Sequence, residues 1–178
     1  IAMARKSREL QAAAVDIISL SLGEPDFPTP DSIKDAAKKA IETNYTYYTH
    51  VSGYVELRKA ICEKFKRDNG LDYAPDDIVV STGAKQSIAN AVLSILNPGD
   101  EVIVPSPYWV SYLELLKVVQ AVPVVVKTTI ESDFKITGDQ LEAVITPKTK
   151  MIIFSTPCNP TGSVYTKEEL ADLARVIK

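Results

Sequence analysis

From residue 78 onward, short apolar runs alternate with amphipathic stretches of helix length, and few folds accommodate that pattern. Ile78-Val-Val-Ser81 reads as a strand. Ala84, Ile88, Val92 and Ile95 then share one face of a helix that stops at Asn97-Pro-Gly-Asp100. Glu101–Val104 reads as a second strand, Tyr108–Gln120 as a helix and Val122–Val126 as a third strand. Leu141–Ile145 reads as a short helix and Met151–Phe154 as a fourth strand. Thr166 and Glu169 have the spacing of a capping box and open a last helix. Parallel strands need crossovers of helix size, so this alternation predicts βαβ units and a mainly parallel sheet. The strands are apolar throughout rather than every second residue. Helices are therefore expected on both faces, in a three-layer α/β sandwich.

The first part of the chain is organised differently. Residues 19–30, "SLSLGEPDFPTP", form a proline-punctuated loop whose Thr29 is placed to cap a helix with Pro30 at its first position. Ile33, Ala37, Ala40 and Ile41 give that helix an apolar stripe, expected to be buried. "NYTYYTHVSGY" (44–54) is a polar, aromatic loop. A further helix carries Leu57, Ile61 and Phe65 on one face and ends near Asn69-Gly70. Cys62 falls among these residues and reads as core. Ile1 lies inside an apparent helix, and Leu170, Leu173 and Ile177 still mark an apolar face near Lys178. The expectation is a piece of a longer protein.

Composition excludes some functions. The net charge is −3 with no long run of one sign, which argues against a nucleic-acid or membrane surface. No apolar stretch is long enough to span a bilayer, and the N-terminus lacks the apolar core of a signal peptide. The two cysteines, Cys62 and Cys158, are far apart, which suggests a reducing compartment and a cytoplasmic location. The one histidine, His50, belongs to no cluster with metal-ligand spacing, so no metal site is expected.

Ligands of open α/β sheets collect beyond the carboxyl ends of the strands, and three unusual segments fall there. In "STGAKQS" (81–87), the amides of Gly83, Ala84 and Lys85 would lie at a helix N-terminus, where an anion is favoured. The plainer alternative is a strand-to-helix loop with a glycine for its turn. In "PSPYWVSY" (105–112), prolines close a strand ahead of Tyr108 and Trp109. Trp109 is the only tryptophan, and it is either a plate for a flat ring or a core aromatic. In "STPCNPTGSVY" (155–165), Pro160 and Gly162 shape a rigid turn from which Asn159 projects. Its amide can donate to a phenolate-type oxygen, or can simply serve the turn. An anion cradle, an aromatic plate and an amide donor together suit a phosphorylated aromatic cofactor.

These segments, with "LGEPDFPTP", "YTHVSGYVELRKAI" and "NPGDEVIVPSPYWVSY", occur in an order that resembles the class I and II aminotransferases of pyridoxal-phosphate fold type I. The bacterial aspartate aminotransferases are the nearest group. The resemblance covers almost the whole chain. It implies that residues 1–30 are an N-terminal segment and substrate-side loop of a small domain. Residues 31–178 would be the first part of a large cofactor-binding domain, incomplete here. By resemblance, Gly83, Ala84 and Lys85 hold the phosphate of pyridoxal 5'-phosphate through backbone amides. Trp109 stacks on the pyridine ring, and Asn159 hydrogen-bonds the ring hydroxyl oxygen. Trp109 and Asn159 also border the substrate, and Gly23 lies near its α-carboxylate. Tyr48 reaches the phosphate of the neighbouring subunit, which implies a homodimer with shared active sites. The implied substrates are L-aspartate and 2-oxoglutarate.

The family's catalytic lysine, the aspartate at the pyridine nitrogen and the carboxylate-binding arginine have no counterparts up to residue 178. No catalytic residue is therefore assigned in this chain, and alone it is not expected to transaminate. Aminotransfer of aromatic or neutral amino acids and carbon–sulfur lysis are alternatives within the same fold. A non-catalytic chain that binds an anion or a partner is a third reading.

Overall fold

The computed structural model describes residues 2–18 and 23–178. Residue 1 and residues 19–22, the opening of the proline-punctuated loop, lie outside the described residues. The chain divides into two compact units, 1–49 and 50–178. The first contains helices α1 (Ala2–Ala12) and α2 (Asp31–Glu42). Pro30 itself occupies the N-cap of α2 with no side-chain cap bond, so Thr29 does not cap it and Pro30 lies one position earlier than expected. The apolar stripe of α2 is also not buried, since Ile33 is 57% and Ile41 69% exposed. Periodicity identified the helix, but burial needs a covering surface, and no described residue covers the stripe.

The second unit opens with α3 (Val55–Asn69), which ends at Gly70 in the left-handed conformation, φ 67°. A side chain there would be strained, so the glycine sets the helix end. Leu57 is 45% exposed and Cys62 only half-buried, so this face is not the core that the pattern suggested. The fully buried residue of α3 is Arg58. Its guanidinium donates to the Pro75 carbonyl at 2.9 Å and meets Asp76 at 3.3 Å, anchoring the 3-10 turn Pro75–Asp77.

Beyond that turn, Ile78–Ser81 is irregular rather than a strand. In place of a ladder, the Val80 amide donates to the Ser52 carbonyl at 3.0 Å. A strand requires a neighbour, and apolar composition alone does not supply one. Then follow α4 (Ala84–Ile95), β1 (Glu101–Ser106), α5 (Ser111–Val118), β2 (Val122–Lys127), α6 (Gly138–Glu142), β3 (Thr149–Ile152) and α7 (Lys167–Ile177). Helix α5 starts three residues later than expected, with a bend at Pro107 and irregular backbone at Tyr108 and Trp109 ahead of it. Helix α6 starts three residues earlier than expected, because Thr137 and Gln140 form a capping box ahead of it.

The strands form a parallel sheet in the order β2-β1-β3. Glu101 pairs with both Val122 and Thr149, and a bulge follows it on the β3 side. Strand β1 is central and fully buried from Val102 to Pro105. Its side chains alternate between two cores, as a pleated strand requires. Val102 and Val104 pack with Val92, Tyr112 and Leu116 of α4 and α5. Ile103 packs with Leu141 and Leu173 of α6 and α7, and with Ile136 and Tyr165. Helices thus cover both faces and make the three-layer sandwich. Strand β2 lies at an edge and keeps Val122 and Val125 about half exposed, so apolar composition did not guarantee burial there. No helix among the described residues is long and apolar enough to cross a membrane.

Candidate active site

The carboxyl ends of β1 and β3 lead directly into the proline-rich turns. Strand β1 ends on Pro105 and Ser106, and Pro107, Tyr108 and Trp109 follow. After β3 comes the turn 155–165. Three X-Pro bonds in these segments are cis: Ser106-Pro107, Thr156-Pro157 and Asn159-Pro160. The two turns touch where the Cys158 thiol donates to the Pro107 carbonyl, with a sulfur–oxygen distance of 3.6 Å. Between them is a narrow crevice lined by Pro107, Tyr108, Phe134, Ser155, Cys158 and Asn159.

The turn holds itself together with two backbone bonds and one side-chain bond. The Gly162 amide donates to the Cys158 carbonyl at 2.7 Å, and the Cys158 amide to the Ser163 carbonyl at 2.9 Å. The Tyr165 amide donates to Thr156 Oγ1 at 3.0 Å. Gly162 has φ 78°, a conformation that favours glycine. Tyr165 then anchors the exit. Its hydroxyl accepts the Ile136 amide at 2.9 Å and its ring meets Phe154 edge-on at 5.2 Å. Burial pushes the Tyr165 phenol above its ordinary range.

At the start of α4, Gly83 is the N-cap with φ 87° and ψ 166°, and no side chain caps the helix. The Gly83 amide turns inward to the Ser81 carbonyl at 2.9 Å, so it is not an open donor as the sequence suggested. The Thr82 amide donates to Gln86 Oε1. The Ala84 and Lys85 amides have no acceptor among the described residues. A Cβ on Gly83 would meet nothing within 4 Å, so packing does not demand this glycine. The Lys85 ammonium stands 5.4 Å from the centre of the Trp109 ring, and that ring meets Tyr112 edge-on at 5.6 Å. The helix N-terminus and the aromatic after β1 are therefore neighbours.

Not every expected residue joins them. Tyr108, rather than Trp109, lines the crevice with Asn159. Tyr48, fully exposed, and Gly23 belong to the first unit. Sequence reasoning missed Phe134, whose φ is 55°, and Asp133 before it at 52°. No motif marks these residues, and Phe134 reaches the crevice only through the path taken after β2. Sequence reasoning also missed Ser155, although a hydroxyl before Thr-Pro at a strand exit was visible as a turn signal.

An ion pair supports the far side of the turn. Lys135 Nζ lies 2.8 Å from Glu169 and 3.3 Å from Asp133. The hydrogen bond with Glu169 raises the Lys135 pKa, and the same bond lowers that of Glu169. Asp172 is also lowered, first by the Gly138 amide that it accepts at 2.6 Å and then by Arg175.

The molecule is thus an α/β protein whose unusual residues gather at the carboxyl edge of a parallel sheet. It belongs to the aminotransferase class I and II family, which matches residues 15–178. It is 55% identical to an aspartate/prephenate aminotransferase of Cereibacter sphaeroides, over 99% of this chain and 44% of that protein. It is 49% identical to an aspartate aminotransferase of a Bacillus species, over 99% of this chain and 45% of the relative. Among solved structures, the aspartate aminotransferase of Thermus thermophilus with maleate superposes with a TM-score of 0.94 at 45% identity. That match covers 98% of this chain and 46% of the other. The chain therefore spans under half the length of these relatives. Its architecture is part of the fold type I of pyridoxal-phosphate-dependent transferases.

Proposed function

We propose that the whole protein is a pyridoxal-phosphate-dependent aminotransferase that moves an amino group between L-aspartate and 2-oxoglutarate. One observation carries this reading: the Lys85–Trp109 contact sets the open N-terminus of α4 beside an aromatic ring. The residues fit the cofactor. Two amides without an acceptor and the open space at Gly83 suit a phosphate. When bound, the cofactor supplies an electron sink for the bonding pair released at the amino acid's Cα.

This chain's own residues would bind and orient. The Ala84 and Lys85 amides hold the phosphate, with Gly83 allowing its approach. Trp109 stacks on the ring and keeps water from that face. Asn159 donates a hydrogen bond to the ring hydroxyl oxygen and holds it in its anionic form. Trp109 and Asn159 also border the substrate, and Gly23 lies by its α-carboxylate. Tyr48 serves the neighbouring subunit's phosphate in a homodimer with shared sites. Residues 1–30 belong to the small domain and 31–178 to the large one. The protein works in the cytoplasm, in keeping with its two unpaired cysteines.

The relatives named aspartate/prephenate aminotransferase favour a second reading, in which prephenate is also an amino acceptor. The test uses the full-length protein. Added pyridoxal phosphate should produce a visible absorption band, and aspartate with 2-oxoglutarate should yield oxaloacetate. A protein that stays colourless and takes up no cofactor ends the first reading. Aspartate consumption with prephenate as the sole acceptor decides the second.

A further inference from the structure

We infer that Ser155 is a positioning residue of the site, which holds Asn159 in place by its backbone; the inference rests on the proposed role of Asn159. The Asn159 amide donates to Ser155 Oγ at 3.2 Å. The surroundings give this bond its weight. The last ladder contact on this path is the Ile153 amide to the Ile103 carbonyl, at 3.0 Å. After it, the backbone has no strand to follow. Pro157 and Pro160 flank the Cys158-Asn159 pair and contribute no N–H. The bonds of Cys158 and Gly162 close the outer end of the turn upon itself. The Ser155 bond is then the direct link from Asn159 back to the strand exit. Thr156, the adjacent hydroxyl, has another task, because its Oγ1 accepts the Tyr165 amide at the base of the turn. Two consecutive hydroxyls thus divide the work: one holds the functional residue, the other holds the loop.

Both Ser155 and Asn159 border the crevice, and Asn159 is exposed. An exposed amide that loses its partner finds water, so removing the hydroxyl should scarcely change stability. It should instead let Asn159 move relative to its acceptor. A purely structural serine would show the reverse: lower stability and an unchanged site.

The test uses the full-length protein loaded with pyridoxal phosphate. It compares Asn159→Ala, Ser155→Ala and Ser155→Thr by the pH midpoint of the visible band, the cofactor dissociation constant and the thermal midpoint. Donation by Asn159 favours the anionic ring oxygen, so losing it makes deprotonation harder and raises the midpoint. Asn159→Ala should raise it by about 1–2 pH units, the scale of a charge-assisted hydrogen bond. Ser155→Ala should raise it by roughly a third to a half as much, with the thermal midpoint within about 2 °C of the parent. Ser155→Thr, which keeps the acceptor, should restore the parent value. A midpoint moved by Asn159→Ala but not by Ser155→Ala overturns the inference alone. So does a shift that threonine does not recover. A midpoint that Asn159→Ala leaves in place removes the role of Asn159, and the positioning role with it.

Discussion

Helices α4 and α7 begin in opposite ways. At α7, Thr166 Oγ1 accepts the Glu169 amide at 3.2 Å, and the Glu169 carboxylate accepts the Thr166 amide at 2.7 Å. Lys135 then balances the carboxylate. The free donors of that helix end are met by the chain's own side chains. At α4 the N-cap is Gly83, no side chain caps the helix, and the first turn contains no acidic residue. The same helix physics leaves α4 with amides and a positive dipole end unused. The difference separates a terminus built for stability from one left open for an anion. Each pays a different cost: α7 has used its binding capacity, and α4, with glycine at its N-cap, lacks roughly a few tenths of a kcal/mol of capping.

The largest break in this comparison should come from Gly83→Val. The backbone at φ 87° and ψ 166° is essentially reserved for glycine, and forcing another residue there costs about 1–3 kcal/mol. The valine side chain would also occupy the open space of the cradle. We expect the full-length protein to bind pyridoxal phosphate at least about tenfold more weakly, a loss of about 1.4 kcal/mol or more. Equilibrium titration with the cofactor, and competition by inorganic phosphate, measures this. Unchanged affinity would mean that the open amides of α4 hold nothing.

Thr166→Ala should act in the complementary sense. It should lower stability by about 1 kcal/mol, read from urea unfolding, and leave cofactor affinity alone. If affinity fell along with stability, the two termini would not be independent. Lys85→Met tests the contact that joins α4 to the aromatic. The ammonium's interaction with the Trp109 face has the scale of an exposed cation–π pair, about 0.5–1 kcal/mol. Cofactor affinity should fall about two- to fivefold, without loss of stability beyond that. A larger drop would show that the lysine side chain itself meets the ligand.

The smallest effect concerns pH. The folded pKa of Glu169 is depressed, so its contribution to stability is present above the unfolded carboxylate value and fades as pH falls through the folded one. Lys135 is raised, so its contribution is present below the unfolded lysine value and is lost as pH climbs through the folded one. The pair should therefore add a shallow plateau at intermediate pH. Glu169→Gln should flatten the acid limb of the stability profile, and high salt should do so more weakly, because Glu169 is partly exposed while Lys135 is mostly covered. Identical acid limbs in parent and variant would exclude this contribution.

Local chemistry was legible wherever a few neighbouring residues settle the backbone. Thr166 and Glu169 start α7, Gly70 ends α3, and the apolar run around Val102–Val104 is a buried strand; each follows from contacts within one turn or one strand. The parallel α/β class was legible too, because only helix-sized crossovers can join such strands. Tertiary structure decided the rest. It made β1 central and left β2 at an edge, although both are rich in valine. It gave Ile78–Ser81 no pairing strand among the described residues and left Ile33 and Ile41 exposed despite their helical spacing. It also placed Tyr108 rather than Trp109 in the crevice and brought Phe134 there from a loop without a motif. Periodicity is a property of one segment, and the sequence alone determines it. Pairing, coverage and the lining of a crevice depend on which distant segment arrives, and only the folded chain settles that.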